Sequence, residues 1–480
     1  MVKGLMSKEI GIDNLRLLSP VIQTQYTTKH PYLRNDRGMS FGSGLQQELS
    51  FGFHYFFRFV SFQIRPSLLF NQNKDFETFY DTDPSLNIPK LSDWWNRIDT
   101  PEYLSSLTTF LPGDSYLKLN YKKIGFGIST ENLWWGPGQF NSLIMTNNAA
   151  GIPHLSLQTE EPVNIKIGTV ESRFIMGRLT DSGLPATDPT YLFQNKSYNV
   201  DKPNDTRIIN GLSVSYQPKW ISGLFLGFSS TIQQYRQQVL YQQNYLPLLR
   251  DLFMKNSPLF DAQSIIDKNA SVYMKWRMKN SSVYCEIGNF DDNFSWLHPA
   301  RANGTGYGYI LGFSRYQHLK NKKSSLLFQA EITDLQQPPH HSSSNLTSWY
   351  IHDQIRHGYT QKGQIIGAGI GPGGNLQTLA LSYISHKYSI GTLVERWEHN
   401  KDYYFYNFTP IGNFQKFWVD YTFNINAQTR FSSFGLSADL THVTSLNYQW
   451  LKIPYPNQLP FAKGNDKPSV IGRIRLEYLF

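Results

Sequence analysis

Apolar and polar residues alternate with period two through this chain, in segments of roughly ten residues, and no other feature restricts the fold as much. In one segment Ala270, Val272, Met274, Trp276 and Met278 form one face, and Ser271, Tyr273, Lys275, Arg277 and Lys279 the other. In another, Phe417, Val419, Tyr421, Phe423 and Ile425 stand opposite Lys416, Trp418, Asp420, Thr422 and Asn424. The last segment sets Val470, Ile474, Leu476, Tyr478 and Phe480 against Arg473, Arg475 and Glu477. Side chains alternate across a strand, so each segment reads as a strand with one apolar and one wet face. A soluble sandwich and a membrane barrel both satisfy that pattern, and connection lengths decide between them.

The pattern places strands at 19–27, 42–57, 59–72, 114–122, 124–132, 162–168, 172–180, 206–217, 222–236, 269–279, 282–290, 305–317, 324–334, 376–386, 388–398, 415–425, 429–445 and 470–480. Short turns such as Lys122–Lys123, Pro218–Ile221, Asn280–Ser281 and Ala427–Gln428 alternate with nine long connections that take about half the chain. That asymmetry belongs to an outer-membrane barrel, with both chain ends on the short-turn side and an even strand number. Counting 359–371 as a strand would break the parity, so it is assigned to the long connection 335–375. Pro66 falls inside a strand, and 162–180 is divided into two short ones. The expected fold is all-β: a transmembrane antiparallel barrel of about 18 strands over residues 19–480, preceded by a periplasmic segment 1–18. A wall that wide leaves an aqueous channel unless it is filled, and the mass of the long connections predicts a plug of extracellular loops.

Composition agrees. Charged residues make up only 17% of the 480 and aromatic residues 15%, the balance of a chain whose surface does not all face water. No apolar run of about 18 residues exists for a spanning helix. The single Cys285 permits no intrachain disulfide and lies on an expected apolar face. The N-terminus lacks the apolar core of a secretory signal, so export to the outer membrane of a Gram-negative cell is argued from the fold. The net charge of +9 resides in walls and turns, because the long connections carry more acid than base. Basic residues in short turns suit anionic headgroups, while Lys275, Arg277, Arg473 and Arg475 face the expected lumen. Nucleic acid is not an expected partner.

The sequence supports no cofactor, no metal site and no catalytic residue. Gly367–Gly374 resembles a phosphate loop, but a strand rather than a helix follows it. His340, His341, His352 and His357 match no ligand spacing and read as solvated loop residues. No nucleophile motif is present. Seven of the eleven tryptophans lie in long connections: Trp94, Trp95, Trp134, Trp135, Trp296, Trp349 and Trp450. Indole faces stack on sugar rings, although interfacial girdles also place Trp at strand ends.

The segment Glu131–Asn–Leu–Trp–Trp–Gly–Pro–Gly–Gln139, with Asn141 through Ala149 and the pair Pro153–His154, is dense in residues that fix backbone shape. Gly136, Pro137 and Gly138 suit a tight turn beneath two indoles. Here the chain resembles the Wzi family of outer-membrane capsule assembly proteins, as it does less sharply at Leu18–Ser–Pro20 and Phe70–Asn–Gln–Asn–Lys–Asp–Phe76. The resemblance implies a monomeric 18-stranded barrel closed by its loops, and a non-enzymatic lectin that holds capsular polysaccharide at the cell surface. Trp94, Trp95, Trp134, Trp135, Asn147, Asn148, His154 and Arg301 are the candidate polysaccharide contacts. The competing expectation is a porin-like channel for anionic or sugar solutes.

Overall fold

A computed structural model of the chain describes residues 14–32, 34–39, 42–77, 94–101, 105–185, 200–242, 245–248, 265–290, 306–319, 323–342, 347–408, 417–450 and 466–480, with short paired segments at 11–12, 192–193 and 196–197. Eighteen antiparallel strands form the wall. They are β1 Leu15–Thr27, β2 Gly44–Phe57, β3 in two pieces (Val60–Ile64 and Ser67–Asn71), β4 in two pieces (Leu107–Leu111 and Tyr116–Tyr121), β5 Ile124–Ser129 and β6 His154–Thr159. Next come β7 Gly168–Leu179, β8 Arg207–Pro218, β9 Leu224–Tyr235, β10 Asp267–Arg277, β11 Ser281–Asn289 and β12 Tyr307–His318. The ring ends with β13 Ser324–Asp334, β14 Asn375–Ser385, β15 Tyr388–Glu398, β16 Val419–Phe431, β17 Phe434–Leu446 and β18 Lys467–Tyr478. Each strand pairs with its chain neighbour, and β1 pairs with β18 from Val21–Glu477 to Thr27–Ile471, which closes the ring.

The apolar stripes point outward. Tyr421, Phe423 and Ile425 are about half exposed, whereas Asp420 and Thr422 between them are buried in the interior. Aromatic side chains crowd the short-turn end, with Tyr121, Trp220 and Phe431 each at least 70% exposed. A soluble sandwich would reverse both arrangements, so the outward belt is a lipid-facing surface flanked by an interfacial girdle. Cys285 lies on this belt, level with Met274 and Leu311 on the neighbouring strands.

Several boundaries differ from the sequence reading. β1 starts at Leu15, not 19, because a register shift between Leu18 and Val21 absorbs Ser19 and Pro20 without ending the pairing. The sixth strand is His154–Thr159, inside the segment read as a long connection. The stretch read as two strands over 162–180 is instead the wall strand Gly168–Leu179, preceded by a two-residue piece, Val163–Asn164, that folds back onto Thr169–Val170. Leu107–Leu111 extends β4 into another expected loop, and the break after it faces Arg65 and Pro66. The last hairpin but one turns at Ser432–Ser433 rather than Ala427–Gln428. Ser432 adopts a positive φ of 51° there, a conformation usually signalled by Gly or Asn. Residues 359–371 are not wall; within them only Thr360–Gln361 and Gln364–Ile365 pair, with each other.

Parts of two long connections pack against the inner face of the wall. Leu133, Trp135, Ile144, Met145, Trp349, Tyr350, Tyr359 and Ile366 from these connections join inward-facing Ile175, Ile209, Ile310 and Leu376 of the wall in one buried apolar cluster. Polar wall residues reach into it: the Arg207 guanidinium donates to the carbonyls of Gly358 (2.5 Å) and Thr360 (2.9 Å). Thr231 of β9 bonds the Tyr359 hydroxyl at 2.9 Å.

Candidate functional site

Two lumen-facing glutamates grip the Trp–Trp–Gly–Pro–Gly turn. The Glu331 carboxylate on β13 accepts the backbone N–H groups of Gln139 (2.7 Å), Phe140 (3.1 Å) and Asn141 (2.8 Å), and the Tyr284 hydroxyl at 2.8 Å. Successive N–H groups around one anion are what a tight turn offers when its own carbonyls point away. Glu286 on β11 accepts from Ser271 at 2.8 Å, and from Leu143 N–H and the Ser142 hydroxyl at 3.4 Å. Lys275 donates to the Pro137 carbonyl (3.2 Å). The fit leaves no room for side chains: a Cβ on Gly136, whose φ is 145°, would meet Ser142 and Glu286, and one on Gly138 would lie 2.0 Å from the Asn141 carbonyl. The turn is a clasp between loop and wall.

A second assembly sits at the outer mouth, on the long-connection side of the ring. Residues 30–32, 76, 94, 100–101, 365, 369–372, 397, 399–400, 403, 418, 420 and 448–450 surround a cavity of about 290 Å³. Its wall is aromatic. The His399 ring is stacked between Trp397 and Trp418, with centroids 3.8 Å away on each side. Asp420 meets His399 Nε2 at 2.8 Å and accepts the Trp418 indole N–H at 2.9 Å. Trp94 packs edge-on against Tyr403 at 5.4 Å, and Tyr403 lies 5.5 Å from Trp450. His30 stacks on Tyr448 at 4.5 Å while its Nε2 faces the Ser445 hydroxyl at 2.8 Å. Burial holds His30 down to about 4, so its ring is neutral at pH 7. Burial, with Glu395 nearby, pushes the Tyr32 hydroxyl up, and it stays protonated.

Of the residues expected from sequence to contact sugar, Trp94 lines this cavity. Trp95 is buried beneath the Lys202 ammonium, 4.2 Å above its ring. The Trp134 indole N–H donates to the Gly138 carbonyl (3.1 Å) inside the clasp, and buried Trp135 packs on Gly211 of β8. Asn148 ties loops together, donating to the Ile365 carbonyl (2.9 Å) and accepting from Asn35 N–H (3.2 Å); the Asn147 carbonyl accepts from Arg37 N–H (2.7 Å). His154 begins β6, with Nδ1 2.6 Å from the Ile152 carbonyl oxygen. Arg301 and Trp296 lie outside the described residues. The fold thus gathers Trp135, Asn147, Asn148 and the glycines around the clasp and its loop, and sets Trp94 apart at the mouth. Of the other tryptophans in long connections, Trp349 is fully buried in the interior, whereas Trp450 lines the cavity.

His357, read as a solvated loop histidine, is instead fully buried against the Tyr235 hydroxyl (2.9 Å), and burial lowers it to about 3. Sequence reasoning passed over Trp397, His399 and Tyr403 entirely. It placed Trp418 and Asp420 on a wet strand face without using them. The signal available was two Trp-x-polar triplets, 397–399 and 418–420, each at the loop end of a strand and so sharing a face.

A closed ring with a lipid-facing belt, parts of two long connections packed inward and an aromatic cavity at the long-loop mouth defines an outer-membrane β-barrel of the Gram-negative type. The capsule assembly protein Wzi family profile matches residues 18–444, and the chain belongs to that family. Among solved structures, Escherichia coli Wzi, described as an outer-membrane carbohydrate-binding β-barrel involved in group 1 capsule assembly, aligns with a TM-score of 0.60 at 13% identity. The alignment covers 96% of this chain and 84% of that one. Pseudomonas aeruginosa OccK8 (OprE) aligns at TM-score 0.43 and 9% identity, covering 97% and 98%. Acinetobacter baumannii OccAB4 aligns at 0.43 and 10%, covering 96% of each chain. No curated protein matches the sequence.

Proposed function

We propose that this protein is a non-enzymatic, monomeric lectin of the outer membrane that binds capsular or related surface polysaccharide and supports its attachment to the cell. The observation that carries this reading is the aromatic cavity at the outer mouth, where ring faces and buried polar atoms are held rigidly by stacking. Membership of a capsule assembly family, and the carbohydrate binding of E. coli Wzi, support it. Among the described residues the cavity is lined by one carboxylate, Asp420, already committed to two donors, which does not supply the paired acids of glycoside hydrolysis.

The channel reading needs free lumenal cations. Of the four it draws on, Lys275, Arg277, Arg473 and Arg475, Lys275 is engaged by the Pro137 carbonyl, and Arg473 by Asp36 (3.0 and 2.7 Å) and Gln25. The packing of loop residues on Ile175, Ile209, Ile310 and Leu376 of the wall supports a lumen filled by loops rather than an open one. Purified protein in liposomes is expected to retain the cognate capsular polymer in a pull-down and to show no large stable conductance. Capsule that stays cell-bound without the protein, together with no polymer binding in vitro, would refute the lectin.

A further inference from the structure

We infer that the mouth cavity is a subsite for one uncharged pyranose unit of the polymer, rejecting uronate and phosphate substituents, with Trp94 as its stacking platform and Trp397 as a buried hydrogen-bond donor. This rests on the polysaccharide-binding reading above and specifies its ligand.

Three observations lead there. The first is charge. No Lys or Arg lines the cavity among the described residues. The Arg34 guanidinium stands behind Trp397, 5.0 Å from its ring centroid, and is already paired with Glu395 and Tyr32. A carboxylate or phosphate entering the cavity would leave water without a cation to receive it, while Asp420 adds a like charge.

The second is the division of labour among the rings. Trp397 has one face on His399 and the other towards Arg34, and Trp418 has a face on His399 and edge contacts to Tyr448 and Trp450. Both faces of Trp397 are taken, and one face of Trp418 is covered by His399. Trp94 meets Tyr403 only edge-on and remains partly exposed, so it can lie against the apolar face of a sugar ring. The third is a set of unpartnered polar atoms. Trp397 Nε1 and His30 Nδ1 are buried without a partner among the described residues, in side chains 94% and 97% buried that line the cavity. Hydroxyl groups, which both donate and accept, complete such atoms; a carboxylate can only accept.

The experiment follows Trp fluorescence and calorimetric heat of the whole protein in detergent micelles, titrated with maltohexaose as neutral probe and with hexagalacturonate as anionic probe. The cognate polymer is tested by pull-down in parallel. Saturable binding of the neutral probe is expected, with hexagalacturonate binding at least about 10-fold weaker at low salt. Trp94→Ala should weaken the neutral probe about 10-fold, with Trp94→Tyr restoring most of that loss. Trp397→Phe, which keeps a ring in the stack, should weaken it about 5-fold. Variants are checked for heat-modifiable gel migration, which reports the intact barrel. Equal or tighter binding of hexagalacturonate overturns the inference, as does wild-type affinity in both Trp94→Ala and Trp397→Phe. If the polymer is still retained in either case, the lectin reading survives and only the subsite falls. If neither polymer nor neutral probe binds the wild type, both are refuted.

Discussion

Replacing Glu331 with Gln tests whether the clasp, rather than the wall, keeps the loop inside the barrel. Four donors converge on two oxygens: Gln139 N–H, Phe140 N–H and the Tyr284 hydroxyl on Oε2, and Asn141 N–H on Oε1. An amide supplies one oxygen and one NH₂ group. Its better orientation keeps the oxygen at the triple site and turns NH₂ towards Asn141 N–H. One bond to the carboxylate is lost, about 1.5–3 kcal/mol, and one buried N–H is stranded, about 1–3 kcal/mol. A net cost of about 3 kcal/mol raises the population of released loop roughly 150-fold, at tenfold per 1.4 kcal/mol. The ring is untouched, because Glu331 keeps its backbone pairing with Gly312 and Thr378. Limited proteolysis of liposome-embedded protein should therefore cut near 134–149 much faster in the variant, and conductance events should become frequent, while the barrel's thermal transition stays in place. Unchanged protection with an unchanged barrel would refute the clasp; loss of the barrel itself would refute the separation of loop from wall.

Gly211→Ala should press on Trp135, whose ring carbons lie 2.8–2.9 Å from the added methyl, and destabilise the loop by about 1–3 kcal/mol, read as faster hydrogen exchange over 133–149. Phe423→Arg, on the lipid face, should cost about 2–4 kcal/mol of membrane stability in a urea titration, whereas Asn424→Arg, whose side chain faces inward, should cost far less. His357 is lowered from 6.5 to about 3, so its contribution is fully present above pH 6.5 and is lost as pH falls towards its folded value. Asp36, Asp99 and Asp402, all raised by burial, act in the opposite sense. The readout is therefore the difference between variants: between about pH 6.5 and 4, His357→Gln should remove about 1.4 kcal/mol per pH unit from the slope of loop protection. An identical slope in both proteins would contradict a neutral buried His357.

The wall was legible in the sequence because lipid and lumen impose opposite chemistry on alternate residues, as at Tyr421–Ile425. Strand ends were less so. Ser432 takes a left-handed turn without the glycine that would announce it, and β6 hides behind Pro153 as six residues that look like loop. The mouth cavity was legible only in fragments. Trp94 and Trp450 stood out as loop tryptophans, but Trp397, His399 and Tyr403 come from one segment and Trp418 from another, and their approach depends on strand register. Local pattern carries no information about that approach. The Trp–Trp–Gly–Pro–Gly motif was legible as a shape-fixing turn, but its partners Glu286 and Glu331 were not, because they lie some 150–200 positions downstream.

The β1–β18 seam lets the ring proofread its own completion. Arg473 faces inward from the final strand, bonded to Gln25 of the first strand and to Asp36 just beyond it. Sliding that joint by a single position would swing Arg473 and Arg475 into hydrocarbon and bring Ile474 and Leu476 inside. A misthreaded closure would thus forfeit an ion pair and bury charge in fat at once, so the first and last strands to be synthesised recognise only one way of meeting.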